Sequence, residues 1–314
     1  SGEIALKDPA ALPLPALTGG EEMYISRQGG RLRCGYTTGT CAAAASAAAA
    51  RMLLFQRPCE RIAVRTPKGP VLHLQVEERR IEERGTLAGI RKDAGDDPDV
   101  TDQALIRASA SFDRPSEGSE HPFVFDTGEG TVIVLDAGEG VGRVTAPGLE
   151  QPVGAPAINR VPRQMILEAV QETCMQAGYT GRLYVTISVP GGETLAERTF
   201  NGRLGIRGGI SILGTSGIVV PMSEQAIVDS IRLEIRQKIA RGRRRLLMTP
   251  GNYGADYVRN QDLFAFLSEE DSVKCSNYVG QTLDIAMEEG AESVLFVAHI
   301  GKFVKVSGGI MNTH

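Results

Sequence analysis

The stretch that decides the first half of this chain is GYTTGTCAAAASAAAARMLLF, residues 35–55. A turn made of Gly and Thr runs directly into an alanine-rich segment, and Ala is the best helix former. Thr38 or Thr40 is predicted to cap the helix, while Gly35 and Gly39 allow the backbone to turn. The first unpaired amides of such a helix attract anions, so the turn is a candidate carboxylate or phosphate site. The alternative is that the alanines simply pack the helix closely against a sheet.

The composition indicates a globular protein without a structural metal. The chain has 314 residues, 42% of them hydrophobic and 23% charged, which suits two domains or one large one. A net charge of −4 gives no reason to expect nucleic acid. The five cysteines include no CxxC pair and there are only four histidines, so we predict no metal site and no disulfides. No stretch reads as a membrane span or a leader, and the predicted location is the cytoplasm.

Arginine dominates the basic residues, with 27 Arg to 7 Lys. The planar guanidinium pairs with carboxylates better than an ammonium does. A polyanionic substrate would explain this bias, and so would a high-GC codon usage.

The first two hundred residues predict a mixed α+β domain. Residues 62–67 and 71–78 are separated by Lys68 and Gly69 and read as a hairpin. The runs TLAGIR, TVIVLD and LYVTISV are predicted strands, and residues 163–178 have helical periodicity with Gly178 as a stop. Residues 1–30, rich in Pro and Gly, are predicted to form an extended arm.

From about residue 200 strands alternate with helices, which predicts a parallel sheet. Ser223 is the predicted cap of a long helix. The fold prediction is therefore a two-domain protein. Residues 31–200 form an α+β domain with a mixed sheet and the Ala-rich helix, and residues 201–314 form a smaller Rossmann-like α/β domain with a short parallel sheet.

An acidic run, KDAGDDPDVTD, occupies residues 92–102 and holds five carboxylates. It lacks the ligand pattern of a calcium-binding hand, since the twelfth position from Asp93 is Ala104. One interpretation is a solvated turn with an Asp cap. The other is a charged clamp or general base beside a ligand, because crowded carboxylates need cations or hydrogen bonds around them.

Two glycine-rich segments resemble nucleotide loops without matching them. In VIVLDAGEGVG, residues 132–142, the sequence that follows cannot open a helix, so we interpret the glycines as a β connection with close backbone approach. A Walker motif is absent, because Lys302 is followed by Phe303.

A pocket is predicted where parallel strands end in the second half, the edge at which open α/β sheets bind ligands. TPGNYG (residues 249–254) and AHIGK (residues 298–302) both fall there. The residues predicted to line this pocket are Gly251, Asn252, Tyr253, Gly254, His299 and Lys302.

Several long motifs together resemble one family, the cobalt-precorrin-5B C(1)-methyltransferases of anaerobic cobalamin biosynthesis, also called cobalamin biosynthesis protein D. They are GYTTGTCAAAA, KDAGDDPDVTD, GEGVGRVTAPGL, PAINRVPRQMI, VPGGETLAERTFNGRLGIRGGISILGTSGIVVPMSE, HIGKFVK and GGIMNTH, in order from residue 34 to 314. Arg160 and Gly202 depart from the family pattern. The resemblance implies transfer of a methyl group from S-adenosylmethionine to ring carbon 1 of cobalt-precorrin-5B, giving cobalt-precorrin-6A, with cobalt present only as part of the substrate.

The chemistry implied by the resemblance gives each candidate residue a role. Asp93, Asp96 and Asp97 are the catalytic candidates, facing the cationic donor or a ring proton, and the pocket at the sheet edge is assigned to the donor. The candidates for holding substrate carboxylates are Arg33, Thr37, Thr38, Thr40, Arg203 and Arg207. The alternative function is a non-catalytic protein that binds or channels corrinoid intermediates. Partners are expected to be the small-molecule tetrapyrrole, with homo-oligomers or transient contacts with other enzymes of the pathway, and neither nucleic acid nor membrane.

Overall fold

The computed structural model describes residues 23–27, 30–115, 121–202, 204–259 and 271–313. Most of the predicted arm, residues 1–30, lies outside them. The chain divides into two compact units, the first made of Ser1–Thr145 and Glu150–Met222 and the second of Ala146–Leu149 and Ser223–His314. The fold is mixed α/β, as predicted.

The first unit contains sixteen strands and three helices among the described residues. The strands are β1 (Tyr24–Arg27), β2 (Gly30–Arg33), β3 (Gly35–Tyr36), β4 (Arg61–Arg65), β5 (Val71–Gln75), β6 (Glu78–Glu82), β7 (Gly85–Arg91), β8 (Leu105–Ser111), β9 (Phe123–Asp126), β10 (Thr131–Ala137), β11 (Gly140–Val141), β12 (Arg143–Val144), β13 (Gly181–Ser188), β14 (Ile206–Arg207), β15 (Gly209–Ile210) and β16 (Ile218–Val219). The helices are α1 (Thr38–Phe55), α2 (Arg160–Ala177) and α3 (Gly192–Glu197).

A six-stranded mixed sheet is the centre of this unit, in the order β6-β7-β8-β13-β10-β9. Only β10 and β13 run parallel; the other neighbours are antiparallel. The predicted strands TLAGIR, TVIVLD and LYVTISV are β7, β10 and β13, and the predicted hairpin is the antiparallel pair β4 and β5. The mixed sheet predicted from the sequence is therefore confirmed.

Helices α1 and α2 share one hydrophobic core with the inner face of the sheet. Alternate residues of β13, namely Leu183, Val185 and Ile187, are fully buried, and so are most alanines of α1. The small Ala side chains let α1 lie close to its neighbours, as the packing interpretation of the alanines proposed. Helix α1 is long and apolar enough to cross a membrane by composition, but 94% of it is buried inside the protein, as expected of a core helix.

Residues 201–222 belong to the first unit, whereas the sequence analysis placed them in the second domain. Their short strands pair with early ones: β16 with β3, β14 with β12, and β15 with β11. These long-range pairs override the local change of pattern near residue 200, so the division falls after Met222. The glycine connection of close approach is confirmed by Gly140, which has φ +70° and would place a Cβ 1.9 Å from the carbonyl oxygen of Val189.

The second unit contains alternating helices and strands. They are α4 (Glu224–Ala240), β17 (Arg245–Thr249), α5 (Asn252–Arg259), β18 (Ser272–Lys274), α6 (Val279–Glu288), β19 (Ser293–Phe296) and α7 (Ile300–Ser307). The three strands are parallel, in the order β18-β17-β19, which confirms the predicted parallel sheet. Ser223 caps α4 as predicted, because its hydroxyl accepts the amide of Ala226 at 3.3 Å.

Candidate functional site

The threonine turn begins α1 one residue earlier than predicted. Thr37 is the N-cap, and its hydroxyl accepts the amide of Thr40 at 3.2 Å. Thr38, one of the two predicted caps, is the first helical residue, and Thr40 lies within the first turn. All three threonines are buried, with exposed fractions of 7%, 3% and 0% for Thr37, Thr38 and Thr40.

The polar groups of this turn are bound to a distant segment of the same unit. The hydroxyl of Thr38 accepts the amide of Leu213 at 2.9 Å and donates to its carbonyl at 3.2 Å. The hydroxyl of Thr40 donates to the carbonyl of Gly217 at 2.7 Å, and the Gly39 amide donates to the Leu213 carbonyl at 3.0 Å. In this conformation the hydroxyls and these amides clamp residues 213–217, so a ligand would have to displace that segment to reach them.

Arg33 and Asp93, which the sequence analysis gave different roles, bind each other. Nη1 of Arg33 donates to Oδ2 of Asp93 at 2.5 Å, and Nη2 donates to Oδ1 at 2.8 Å. Oδ1 also accepts the amide of Gly95 at 2.8 Å. The hydrogen bonds from Arg33 hold the pKa of the Asp93 carboxyl below its usual value. Asp93 is therefore a carboxylate at neutral pH that already has a cationic partner.

Asp96 and Asp97 attach the acidic loop to the backbone around it. Oδ2 of Asp96 accepts the amide of Arg33 at 2.6 Å, and Oδ1 of Asp97 accepts the amide of Met222 at 3.0 Å. The other oxygen of each carboxylate has no hydrogen bond within the described part of the chain. The loop is thus a backbone-bound turn whose remaining carboxylate oxygens are available to a cation.

A buried ammonium group anchors the same loop. Lys92 is 1% exposed, and its Nζ donates to Oδ2 of Asp99 at 2.7 Å. Oδ1 of Asp99 accepts the amide and hydroxyl of Thr101, both at 2.7 Å. Burial opposes the charged form of Asp99, but Lys92 and Thr101 together hold its pKa below the usual value. The sequence analysis did not single out Lys92, whose only local signal is its position directly before the acidic residues.

In the second unit, the residues after β17 lie at the carboxyl edge of the parallel sheet, as predicted. Asn252 and Tyr253 begin α5 and are exposed, Tyr253 by 72%. A Cβ at Gly251 would meet no atom within 4 Å, whereas at Gly254 it would lie 2.5 Å from the carbonyl oxygen of Val297. Gly251, Asn252 and Tyr253 are therefore open to a ligand, and Gly254 instead allows α5 to approach the chain after β19.

Thr249, the last residue of β17, begins the motif TPGNYG but was not among the residues predicted to line the pocket. It is fully buried, and its Oγ1 has no hydrogen-bond partner among the residues that the structure describes. A buried hydroxyl without a partner is uncommon. It marks this strand end as a place where a ligand atom could supply the missing hydrogen bond.

His299 and Lys302 have different surroundings at the end of β19. His299 is exposed and caps α7, since its Nδ1 accepts the amide of Gly301 at 3.3 Å. Nζ of Lys302 donates to Oδ1 of Asn277 and to the carbonyl and hydroxyl of Thr313, at 3.0 and 3.1 Å. Lys302 therefore fixes the last described residues, while His299 stays at the sheet edge.

Of the two remaining arginine candidates, Arg203 lies outside the described residues. Arg207 is exposed and lies on β14 directly opposite Arg143 of β12. Arg143 in turn pairs with the buried carboxylate of Asp136, the last polar residue of β10. The sequence analysis interpreted the glycines of this segment as a β connection and gave no role to Arg143 or Asp136.

The described residues contain no group of three or more His, Cys, Asp or Glu that could hold a metal ion. All five cysteines are buried and free. Burial raises the pKa of the Cys174 and Cys275 thiols to about 11, so neither is a thiolate at neutral pH.

The fold and these contacts define a mixed α/β protein with candidate polar sites in each unit. The family model described as CbiD matches residues 25–221. The chain is 46% identical over 293 residues to "Cobalt-precorrin-5B C(1)-methyltransferase" of Ruminiclostridium cellulolyticum, covering 93% of this chain and 71% of the relative. It is 44% identical over 293 residues to the protein of that name from Alkaliphilus metalliredigens, covering 93% and 72%.

A crystal structure of cobalamin biosynthesis protein (cbiD) from Archaeoglobus fulgidus is 27% identical, covers 92% of this chain and 84% of that chain, and superposes with a TM-score of 0.47. The chain belongs to the CbiD family, as the family match and the curated relatives show.

Proposed function

We propose that this chain is the methyltransferase that converts cobalt-precorrin-5B to cobalt-precorrin-6A by methylating ring carbon 1, in anaerobic cobalamin biosynthesis. The observation that carries this conclusion is the family match together with relatives of that name at 46% and 44% identity over 93% of the chain. No observation favours the alternative of a non-catalytic corrinoid carrier. The cobalt belongs to the substrate.

The methyl donor is proposed to be S-adenosylmethionine, bound at the carboxyl edge of the sheet β18-β17-β19. The second unit would then be a small Rossmann-like domain, in which ligands bind at this edge. Three observations fit: the partnerless buried Oγ1 of Thr249, the open space at Gly251, and the exposed ring of Tyr253. Asn252 and His299 complete the proposed lining. A sulfonium cation is attracted by aromatic faces and carboxylates, and it supplies an electrophilic methyl group.

The contribution of the chain to such a reaction is mainly orientation, because a macrocycle carbon must lie in line with the methyl group. The free oxygens of Asp96 and Asp97 are proposed to face positive charge or to accept a ring proton. Asp93 is a poorer candidate for a base, since Arg33 already occupies both its oxygens. Thr37, Thr38, Thr40 and Arg33 would reach substrate carboxylates only if their present partners were released.

We also propose a cytoplasmic location, with a homo-oligomer or transient contacts with other enzymes of the pathway. The tetrapyrrole is the proposed partner, with no role for nucleic acid or membrane.

The function is tested by incubating the protein anaerobically with cobalt-precorrin-5B and S-adenosylmethionine carrying an isotopically labelled methyl group. We expect the tetrapyrrole to gain one labelled methyl group and S-adenosylhomocysteine to appear in equal amount. A protein that binds the tetrapyrrole without any donor-dependent gain in mass would be a carrier, and the proposal would be wrong.

The donor site is tested by Tyr253→Ala, which should raise the Kd for S-adenosylmethionine about tenfold. The matched control is Met287→Ala, because Met287 is equally exposed in the same unit, at 73%, and lies on α6 outside the proposed lining. If both variants bind the donor as the wild type does, the donor is not bound by Tyr253.

A further inference from the structure

Two arginines of the first unit lie side by side on one face of a short antiparallel pair. In the register of β12 and β14, Arg143 is directly opposite Arg207 and Val144 is directly opposite Ile206. Directly opposed side chains lie on the same face, about 5 Å apart at Cβ. Val144 and Ile206 are buried, with 1% and 7% exposed, so the two arginines share the other face. Like charges placed in this way repel each other unless an anion lies between or beside them.

The anion beside this pair is Asp136, and it contacts only one of the two terminal nitrogens of the Arg143 guanidinium. Nη2 of Arg143 donates to Oδ1 of Asp136 at 3.1 Å and to the carbonyl oxygen of Ala137 at 2.7 Å, which accounts for both of its hydrogens. Nη1 is buried and has no acceptor among the described residues. A charged donor left without a partner is costly, so this atom lacks the second half of a bidentate contact.

The charge balance also leaves room for one more anion. Asp136 is 7% exposed and neutralises one of the two arginines. Arg207 is exposed and forms no ion pair in the part of the chain that the structure describes. Asp136 also lines a cleft together with Arg114, Tyr184 and Thr186.

The geometry points to a carboxylate-binding site formed by Arg143 and Arg207, with Asp136 as the residue that positions Arg143. The inference rests on the proposed function for its ligand, an acetate or propionate arm of the tetrapyrrole. The arm would displace the atoms that cover Nη1, complete the hydrogen bonds of that nitrogen, and neutralise Arg207. Arg207 was a substrate candidate from the sequence, whereas Arg143 and the pairing are visible only in the fold.

The site is tested with cobalt uroporphyrin, a stable macrocycle with eight carboxylate arms, and with its octamethyl ester. The variants are Arg207→Gln and Arg143→Lys. The lysine keeps the positive charge and the aliphatic part of the side chain but lacks the guanidinium fork. The matched control is Arg65→Gln, because Arg65 is exposed on β4 and forms no ion pair among the described residues. Circular dichroism and thermal unfolding verify that each variant folds.

We expect Arg207→Gln and Arg143→Lys each to weaken binding of the acid about 10- to 100-fold, the loss that corresponds to one charge-assisted hydrogen bond. Binding of the ester should be the same in the variants and the wild type. The control should bind both probes normally. Asp136→Asn should weaken binding of the acid, and adding Arg143→Lys to it should cause little further loss, because the first change misplaces the guanidinium fork that the second removes.

Folded variants that bind the acid as tightly as the wild type overturn the inference, and so does an equal loss for acid and ester. The result is separable from the test of the proposed function. If the wild type transfers the methyl group and Arg207→Gln has the same KM for cobalt-precorrin-5B, this site is refuted and the proposed function stands. Arginine-dependent binding of the acid without any methyl transfer supports this site and refutes the function.

Discussion

Replacing Thr38 by Val tests whether the threonine turn is an internal clamp or an anion site. Val keeps the shape of the side chain and removes the hydroxyl that accepts the Leu213 amide at 2.9 Å. The Leu213 carbonyl still accepts the Gly39 amide at 3.0 Å, but the Leu213 amide loses its acceptor. An unpaired donor in a partly buried position costs about 1–2 kcal/mol. For a unit of this size, a loss of that magnitude lowers Tm by roughly 3–6 °C.

The assay has two readouts, urea unfolding followed by circular dichroism and the KM for cobalt-precorrin-5B measured well below Tm. We expect Thr38→Val to unfold at a lower urea concentration and to keep the wild-type KM. The matched control is Thr215→Val, because Thr215 is exposed and should change neither value. The reasoning is refuted if Thr38→Val has wild-type stability and a KM raised about tenfold, because the hydroxyl would then contact the ligand.

Three further predictions concern the stability of the first unit. In the folded state, Arg33 holds the pKa of Asp93 below the 3.8 of an unperturbed carboxyl group. The stability that this ion pair contributes is therefore present above about pH 4 and is lost as the pH falls below it. Asp93→Asn should flatten the acid limb of a plot of unfolding free energy against pH. Asp99→Asn leaves the buried ammonium of Lys92 without its anionic partner, so the free energy of unfolding in urea should fall by about 3 kcal/mol. A urea midpoint equal to that of the wild type would contradict a stabilising role for this buried ion pair. Gly140→Ala should lower the free energy of unfolding by more than about 3 kcal/mol, because φ at this position is +70° and the added Cβ would lie 1.9 Å from a carbonyl oxygen. Gly202→Ala should leave the thermal midpoint unchanged, because a Cβ there would meet no atom within 4 Å.

The elements that the sequence predicts well are those fixed by neighbouring residues. The alanine helix, the hairpin of β4 and β5, the Gly178 stop of α2 and the Ser223 cap all depend on residues within a few positions of one another. The parallel direction of β17, β18 and β19 also follows from local alternation, because strands joined through a helical crossover run parallel.

The elements that the sequence does not predict depend on partners far along the chain. Thr38 and Thr40 look like ligand hydroxyls because their acceptors, near residues 213 and 217, are more than 170 positions away. The boundary near residue 200 is misplaced for the same reason, since β16 pairs with β3. No local pattern reveals such pairs. When a motif is considered by itself, its polar groups are therefore predicted to bind a ligand, although in the folded chain they are hydrogen-bonded to a distant segment.

The same argument decides which arginines can serve the substrate. Arg33 is half-exposed and near the acidic loop, but both of its terminal nitrogens are bound to Asp93, and a substrate carboxylate would have to break that pair. Arg143 has the same chemistry, but its anion engages one nitrogen and leaves the other without an acceptor within the described residues. A substrate carboxylate binds more favourably to a guanidinium that is held in place and has one nitrogen without an acceptor than to one whose nitrogens are all paired. Folding has already ordered the side chain of such a guanidinium, so binding loses less conformational entropy. The availability of a guanidinium thus depends on what the fold has already bound to it, and in the first unit this favours Arg143 and Arg207 over Arg33.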